Sequence, residues 1–275
     1  MLASSPEHLQ RASGLLRLEV GERGGRTHVA RLRQQGCLKL LFPRIEPGAA
    51  LQAASINCSG GIAAGDRLET AIVCAAGTHL LLTSQAAERC YRARDGEAAA
   101  DIEAHATLGP GAHLEWLPQE TIMFDGASLR RRLTVEMADD ASLLCIESRV
   151  FGRAGSGERL WRLDLSDRLL IRRGGVPVLV DGFELHGDAE TALSRAAVAA
   201  GAGATAAIVL VAPYAEALLD PVRDALAGAD AGASSWNGML RIVMVSRDPA
   251  AHRARIAAVL SILRGGEALP SVWRY

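Results

Sequence analysis

The chain of 275 residues almost lacks lysine: one of its 30 basic residues, Lys39, is a lysine, and the others are arginines. A phosphate-binding loop of the Walker A type needs a glycine directly before its lysine. Leu38 stands before Lys39, so the sequence excludes a P-loop nucleotidase. Any Schiff-base chemistry on lysine would have to use the same residue.

Closely spaced cysteines and histidines are also missing. The five cysteines form no C-x-x-C pair, which excludes a zinc ribbon and a thioredoxin motif. The seven histidines form neither H-x-x-x-H nor H-x-H, and the G-x-S-x-G signature of a nucleophile elbow is absent. The sequence therefore predicts neither a strong fixed metal site nor a catalytic serine.

Signals for a membrane, a secretory route or a nucleic-acid partner are lacking too. The longest apolar stretch, 198–212, contains Gly201 and Gly203 and is too short to cross a bilayer. Residues 1–14 show no cationic start followed by an apolar run. The formal net charge is −1, which indicates no polyanionic partner. Several cysteines lie in apolar strand-like runs, where a free cysteine behaves as a small hydrophobic residue. This use of cysteine indicates a reducing compartment, so we expect a cytoplasmic protein.

The sequence does contain many alternating apolar and polar runs, which are typical of half-buried strands. They span residues 15–20, 27–32, 67–74, 78–83 and 129–137. Trp161, Leu163 and Leu165 continue the pattern, and Arg131 is the charged exception on an apolar face. Such runs recur every 8–12 residues with turn residues between them, which favours a strand stack, a sandwich or a helix-like solenoid.

The last third changes in character. Residues 206–212 and 240–245 are predicted strands, whereas 214–227 has helical spacing with Ala217, Leu218, Val222 and Leu226 on one side. A second helix is predicted to begin at Pro249 behind an Asp248 cap. We predict a single domain over 1–275, strand-rich over 1–187 and mixed over 188–275.

Three segments concentrate polar residues: 57–67, 83–92 and 114–126. The first is either a glycine-rich turn or a ligand contact, and the second is an ordinary surface loop or a functional one. In the third, Glu115, Glu120 and Asp125 lie among large apolar residues, which raise the pKa of a carboxylate. Paired-carboxylate hydrolysis, transient metal binding and buried polar contacts all remain open at this point.

In this order, the segments resemble the UreD/UreH family of urease accessory proteins. The matching stretches are Ser59–Asp66, Thr83–Arg92, Leu114–Ile122, Glu147, Gly152–Arg153, Gly157–Glu158 and Leu269–Arg274. Cys58, Cys90 and Ser271 depart from the pattern that is common in the family.

The resemblance implies a non-catalytic scaffold with a layered, β-helix-like strand assembly and two α-helices late in the chain. It also implies GTP-dependent insertion of nickel into the urease apoprotein, in a complex with UreF and the GTPase UreG. No cofactor is expected to bind tightly, since nickel is held only in transit. A carboxylate-based hydrolase and a stand-alone metal-binding protein are the alternatives.

Two groups of residues follow from the resemblance. The implied transient nickel path consists of Asp66, Thr83, Ser84, Gln85, Glu115, Glu120 and Glu147. The implied partner-binding residues are Leu269, Pro270, Val272, Trp273, Arg274 and Tyr275.

Overall fold

The computed structural model describes residues 10–44, 49–153 and 157–273, and β-strands dominate these ranges. The strands are β1 (Ser13–Arg23), β2 (Arg26–Gly36), β3 (Leu38–Leu41), β4 (Leu51–Asn57), β5 (Arg67–Cys74), β6 (His79–Ser84), β7 (Glu88–Cys90), β8 (Ala100–Leu108), β9 (His113–Leu117), β10 (Thr121–Met123), β11 (Ser128–Met137), β12 (Ser142–Phe151), β13 (Arg162–Arg173), β14 (Val176–Asp188), β15 (Ala204–Val211), β16 (Ala231–Trp236) and β17 (Met239–Ser246).

The strands form two sheets. Sheet A has the order β14-β13-β11-β8-β5-β1-β2, and sheet B has the order β16-β17-β15-β12-β9-β6-β4-β3, with β10 pairing to β12 and β7 to β10. The middle of each sheet is parallel. From β4 to β13, apart from the short β7 and β10, the chain alternates between the sheets. It therefore winds as a coil, and the predicted mainly β, layered, β-helix-like fold is confirmed.

Alternation along the strands builds the core between the sheets. Leu133, Val135 and Met137 of β11 are buried there, as the sequence pattern predicts. Trp161 departs from its predicted apolar face: it is 55% exposed and precedes β13. Its backbone N–H and that of Arg162 both donate to Asp125 Oδ1, at 2.8 Å and 2.9 Å, where the chain enters β13.

The described α-helices are α1 (Ala189–Ser194), α2 (Leu219–Ala225) and α3 (Pro249–Leu263). The first packs against β13 and β14 of sheet A, whereas α2 and α3 cover the outer face of sheet B and make a third layer. Ile256 and Leu260 of α3 pack with Val222 of α2 in an apolar cluster on this face. Asp248 accepts a hydrogen bond from the backbone N–H of Ala250 at 2.9 Å, so the predicted N-cap is confirmed.

The predicted helix over 214–227 differs in its first turn. Ala215–Leu218 is a 3-10 turn that precedes α2. A 3-10 turn has about 3.0 residues per turn, so it shifts the buried side relative to an α-helix. Ala215 is therefore buried instead of the predicted Ala217, while Val222 and Leu226 are buried as predicted.

Among the described residues, no helix combines the length and apolar character needed to cross a lipid bilayer.

Candidate functional site

Two neighbouring strands, β6 and β9, bring several of the predicted site residues together. They pair in parallel, with His79 opposite His113 and Thr83 opposite Leu117. Because side chains alternate along a strand, every second residue faces the helix layer. The residues on this face are His79, Leu81 and Thr83 of β6 and His113, Glu115 and Leu117 of β9.

At the carboxyl ends of β6 and β9, polar side chains tie the two strands together. Thr83 Oγ1 donates to the backbone carbonyl of Leu117 at 2.7 Å. Ser84 Oγ accepts from the backbone N–H of Gln119 at 2.9 Å. Gln85 has an exposed side chain and donates its backbone N–H to Ser55 at 2.8 Å. The structure thus places Thr83, Ser84 and Gln85 at one strand end.

Glu120 lies at the same end and connects it to α3. Its carboxylate accepts from Arg253 Nη1 at 2.8 Å, and both side chains are about one-fifth exposed. Arg253 Nη2 also donates to Gln119 Oε1 and to the backbone carbonyl of Val272, both at 3.2 Å. Glu120 and Arg253 therefore connect the end of β9, helix α3 and the C-terminal segment through hydrogen bonds.

The C-terminal segment packs back onto the core of the chain. Trp273 is 5% exposed, and its indole Nε1–H donates to the backbone carbonyl of Leu117 at 3.1 Å. Pro270 is buried, and Leu269 and Val272 are half-buried. Partner binding by these residues stays a prediction; Arg274 and Tyr275 lie outside the described residues.

Asp66 is buried elsewhere, in the glycine-rich turn that precedes β5. Its carboxylate accepts the backbone N–H groups of Ala12 at 2.7 Å and Ala63 at 2.8 Å. In the same turn Gly61 has φ of +146°, and a Cβ atom there would lie 2.4 Å from the Tyr91 ring. Tyr91 donates its hydroxyl to the Gly60 carbonyl at 2.7 Å, so the first two polar segments pack against each other.

Glu147 lies in a third place, within a buried ion cluster between the sheets. Asp167 accepts from Arg131 Nε at 2.9 Å and from Arg149 Nε at 2.7 Å. Arg149 also donates to Glu147 at 2.7 Å, and Arg131 donates to Thr121 Oγ1 at 3.0 Å. Two arginines and two carboxylates thus balance in charge. This pairing explains why Arg131 occupies the apolar side of its strand.

The carboxylates of the buried cluster respond to burial differently. Burial opposes ionisation of Asp167, but Arg131 and Arg149 outweigh it and hold the pKa of Asp167 below its ordinary value. Burial and the Asp167 charge together raise the pKa of Glu147. Arg131 and Arg149 also act to lower the pKa of Glu147, but burial and the Asp167 charge outweigh them.

Glu115 belongs to a fourth environment, on the outer face of sheet B near the start of β9. It is buried, and its Oε1 atom lies 2.8 Å from His79 Nε2 while its Oε2 accepts from Arg264 Nε. Arg264 also donates to the backbone carbonyls of Glu267 and Ala268, so it fixes the chain after α3. His113 faces the same carboxylate, with Nε2 3.9 Å from Oε1.

The sequence pattern of the UreD urease accessory proteins matches the chain over residues 12–274. The chain belongs to the UreD family. It is 43% identical to urease accessory protein UreD 2 of Methylorubrum populi, over 100% of this chain and 95% of that protein. Identity is 42% to urease accessory protein UreD of Methylobacterium sp. (strain 4-46), over 96% of this chain and 95% of that protein. It is 38% to that of Azorhizobium caulinodans, over 99% of both chains.

UreD-family membership confirms the resemblance and supports a role in urease maturation. The family relation extends over nearly the whole chain, so it covers both sheets and the helix layer. Association with the urease maturation system follows from it, as does the description of the chain as a urease accessory chaperone.

The carboxylates of the hydrolase alternative do not have the expected environment in this UreD-family fold. Glu115, Glu120 and Asp125 each form an ion pair with a different arginine, namely Arg264, Arg253 and Arg92. Burial would raise the pKa of Glu115, but hydrogen bonds from His79 and Arg264 outweigh burial and lower it. The expected rise of the pKa at Glu115 is therefore wrong.

Several residues at these places were missed by sequence reasoning. His79 and His113 are 34 positions apart and appear isolated, although parallel pairing makes them neighbours. The missed ion-pair partners are Arg149, Asp167, Arg253 and Arg264. The sequence offered one signal for the buried ion pairs, namely Arg131 on an apolar strand face. A buried charge requires a partner of opposite charge, which here is Asp167.

Proposed function

We propose that this UreD-family chain is a scaffold of urease maturation that assists GTP-dependent insertion of nickel into the urease apoprotein, in a complex with UreF and UreG. The observation that carries the proposal is the family match over residues 12–274. Relatives that align over nearly their full lengths are named urease accessory proteins. Nickel is the cargo of this process and urease is its recipient.

The proposal assigns GTP hydrolysis to UreG. The single lysine, Lys39, lies within β3 and pairs opposite Ile56 of β4. A P-loop lysine instead follows a glycine-rich loop and precedes a helix, where it reaches the phosphates. The position of Lys39 in a strand therefore supports a scaffold that positions a separate GTPase and the metal recipient.

Transient nickel handling is proposed for the oxygen-bearing residues of the predicted path. Their carboxylates already have partners: backbone N–H groups at Asp66, and arginines at Glu115, Glu120 and Glu147. An entering cation must compete with these partners, which keeps its binding weak. Weak binding suits a cargo ion that has to leave again.

The Glu120→Gln variant tests the nickel path. Glutamine keeps an oxygen that can accept from Arg253 but removes the negative charge that attracts a cation. We expect UreF and UreG to be captured as by the unchanged chain, and the nickel content and ammonia release of co-expressed urease to fall several-fold. Nickel content by elemental analysis and an ammonia assay provide the two readouts.

The matched control is Glu184→Gln, which removes the charge of an exposed carboxylate paired with Arg168 on sheet A. This variant is expected to support full activation. Normal nickel loading by the Glu120→Gln chain, with complexes intact, would show that Glu120 takes no part in a path. The scaffold proposal would then stand without this residue.

A further inference from the structure

Three side chains on the outer face of sheet B converge, and two of them, His79 and His113, do not belong to the proposed nickel path. The ligand atoms of His79, His113 and Glu115 all lie within 4.8 Å of one another. His79 Nε2 and His113 Nε2 approach the same carboxylate oxygen, at 2.8 Å and 3.9 Å. Within the described ranges, this is the one group of three or more histidine, cysteine, aspartate or glutamate side chains that lie close enough to share a single ion.

The spacing fits a coordinated divalent ion. Metal–ligand distances of about 2.1 Å place neighbouring ligand atoms about 3.0 Å apart in octahedral and about 3.4 Å apart in tetrahedral geometry. The two nitrogen–oxygen distances, 2.8 Å and 3.9 Å, lie on either side of these values. The imidazole rings stand edge to face with centroids 4.4 Å apart, so both can point a nitrogen at one ion.

The surroundings leave the required nitrogen of His113 available. Its Nδ1 contacts Ser142 Oγ, so Nε2 is the ring nitrogen that faces Glu115. A ligating histidine commonly has its other nitrogen held in this way. When His79 binds through Nε2, its ring carries the proton on Nδ1.

Arg264 contacts both oxygens of the Glu115 carboxylate. Its Nε–H donates to Oε2, and its Nη2 donates over a longer 3.4 Å to Oε1, which is the oxygen nearest to both histidines. The guanidinium charge lowers the affinity for a cation, but Glu267 lies beside Arg264 and offsets part of it. Tyr214 and Glu267 line the same cleft, which opens to solvent and gives an ion access.

We propose that His79, His113 and Glu115 form a binding site for a borderline divalent transition-metal ion, of the class of Ni²⁺, Zn²⁺ and Co²⁺. Two imidazoles and one carboxylate favour these ions over Mg²⁺ and Ca²⁺, which prefer oxygen ligands. The site rests on the geometry of the three side chains. It shares Glu115 with the proposed nickel path, but its test does not require urease maturation.

The test uses the full-length chain after removal of metal with a chelator. Calorimetric titration with Ni²⁺, Zn²⁺ and Mg²⁺ is expected to give saturable binding of the first two only. His79→Ala and His113→Ala should each weaken binding by at least about tenfold, as expected for loss of a ligand when even outer-shell changes cost that much. His105→Ala, which removes an exposed histidine of β8 on sheet A, is the control and should leave binding unchanged.

A second measurement needs no variant and so does not depend on whether a substitution disturbs folding. Substoichiometric Co²⁺ added to the unchanged chain should selectively broaden the ring-proton NMR signals of His79 and His113. Broadening of other histidines alone, or equal Ni²⁺ affinity in the two alanine variants and the unchanged chain, would overturn the site. Both measurements use the isolated chain. A negative result would therefore rule out the metal site without affecting the proposal on urease maturation. Conversely, a failed test of urease maturation would not rule out the metal site.

Discussion

Replacing Asp167 by asparagine is expected to lower the free energy of unfolding by about 3–5 kcal/mol, the usual cost of breaking a buried ion pair. Asp167 is 0% exposed and accepts from both Arg131 and Arg149. Without its charge, Glu147 is the one carboxylate left in the cluster to balance two buried guanidinium groups. Urea unfolding followed by circular dichroism measures the loss.

Glu184→Ala is the control for this experiment, because Glu184 is an exposed carboxylate that forms a surface ion pair with Arg168. Surface ion pairs contribute between about 0 and 1 kcal/mol, so little change is expected. If Asp167→Asn were as stable as Glu184→Ala, the buried ion cluster between the sheets would not contribute to stability as expected.

Replacing Trp273 by alanine is the second large effect, with an expected loss of about 3–5 kcal/mol. The indole is buried against the outer face of sheet B, and its N–H is bound to the Leu117 carbonyl. The Arg253 guanidinium lies 5.1 Å from the centre of the ring. The substitution leaves a cavity and releases the C-terminal segment from the strand end. Differential scanning calorimetry is the direct measurement.

Trp236→Ala removes a tryptophan that is 38% exposed on β16, and it is expected to cost much less. Capture by UreF provides a second readout, because the C-terminal segment is the predicted partner contact. We expect deletion of residues 269–275 to abolish capture, and Trp236→Ala to preserve it. Unchanged stability of Trp273→Ala would contradict the packing, and unchanged capture after the deletion would contradict the partner contact.

Strands that bury one face could be predicted from the sequence. In β11, Leu133 and Val135 alternate with polar residues, so a period of two is visible without knowledge of the neighbours. The same period does not reveal which sheet a strand joins. Assignment to sheets depends on contacts between distant segments, such as the parallel pairing of β11 with β13.

The candidate sites were less predictable, since each combines residues that only the coil of strands brings together. Glu115 and Glu120 were recognised within one segment, yet their partners are distant in sequence. Arg253 lies within α3, and Arg264 directly follows that helix. His79 and His113 become neighbours through parallel pairing, which leaves no short sequence motif.

The most direct test of the proposed role is co-expression of urease apoprotein, UreF and UreG with and without this chain, followed by elemental analysis of the purified urease. With the chain present, we expect urease to contain nickel and to release ammonia from urea. Without the chain, both should fall to background. Equal nickel content and equal activity in the two preparations would contradict a role for the chain in urease maturation.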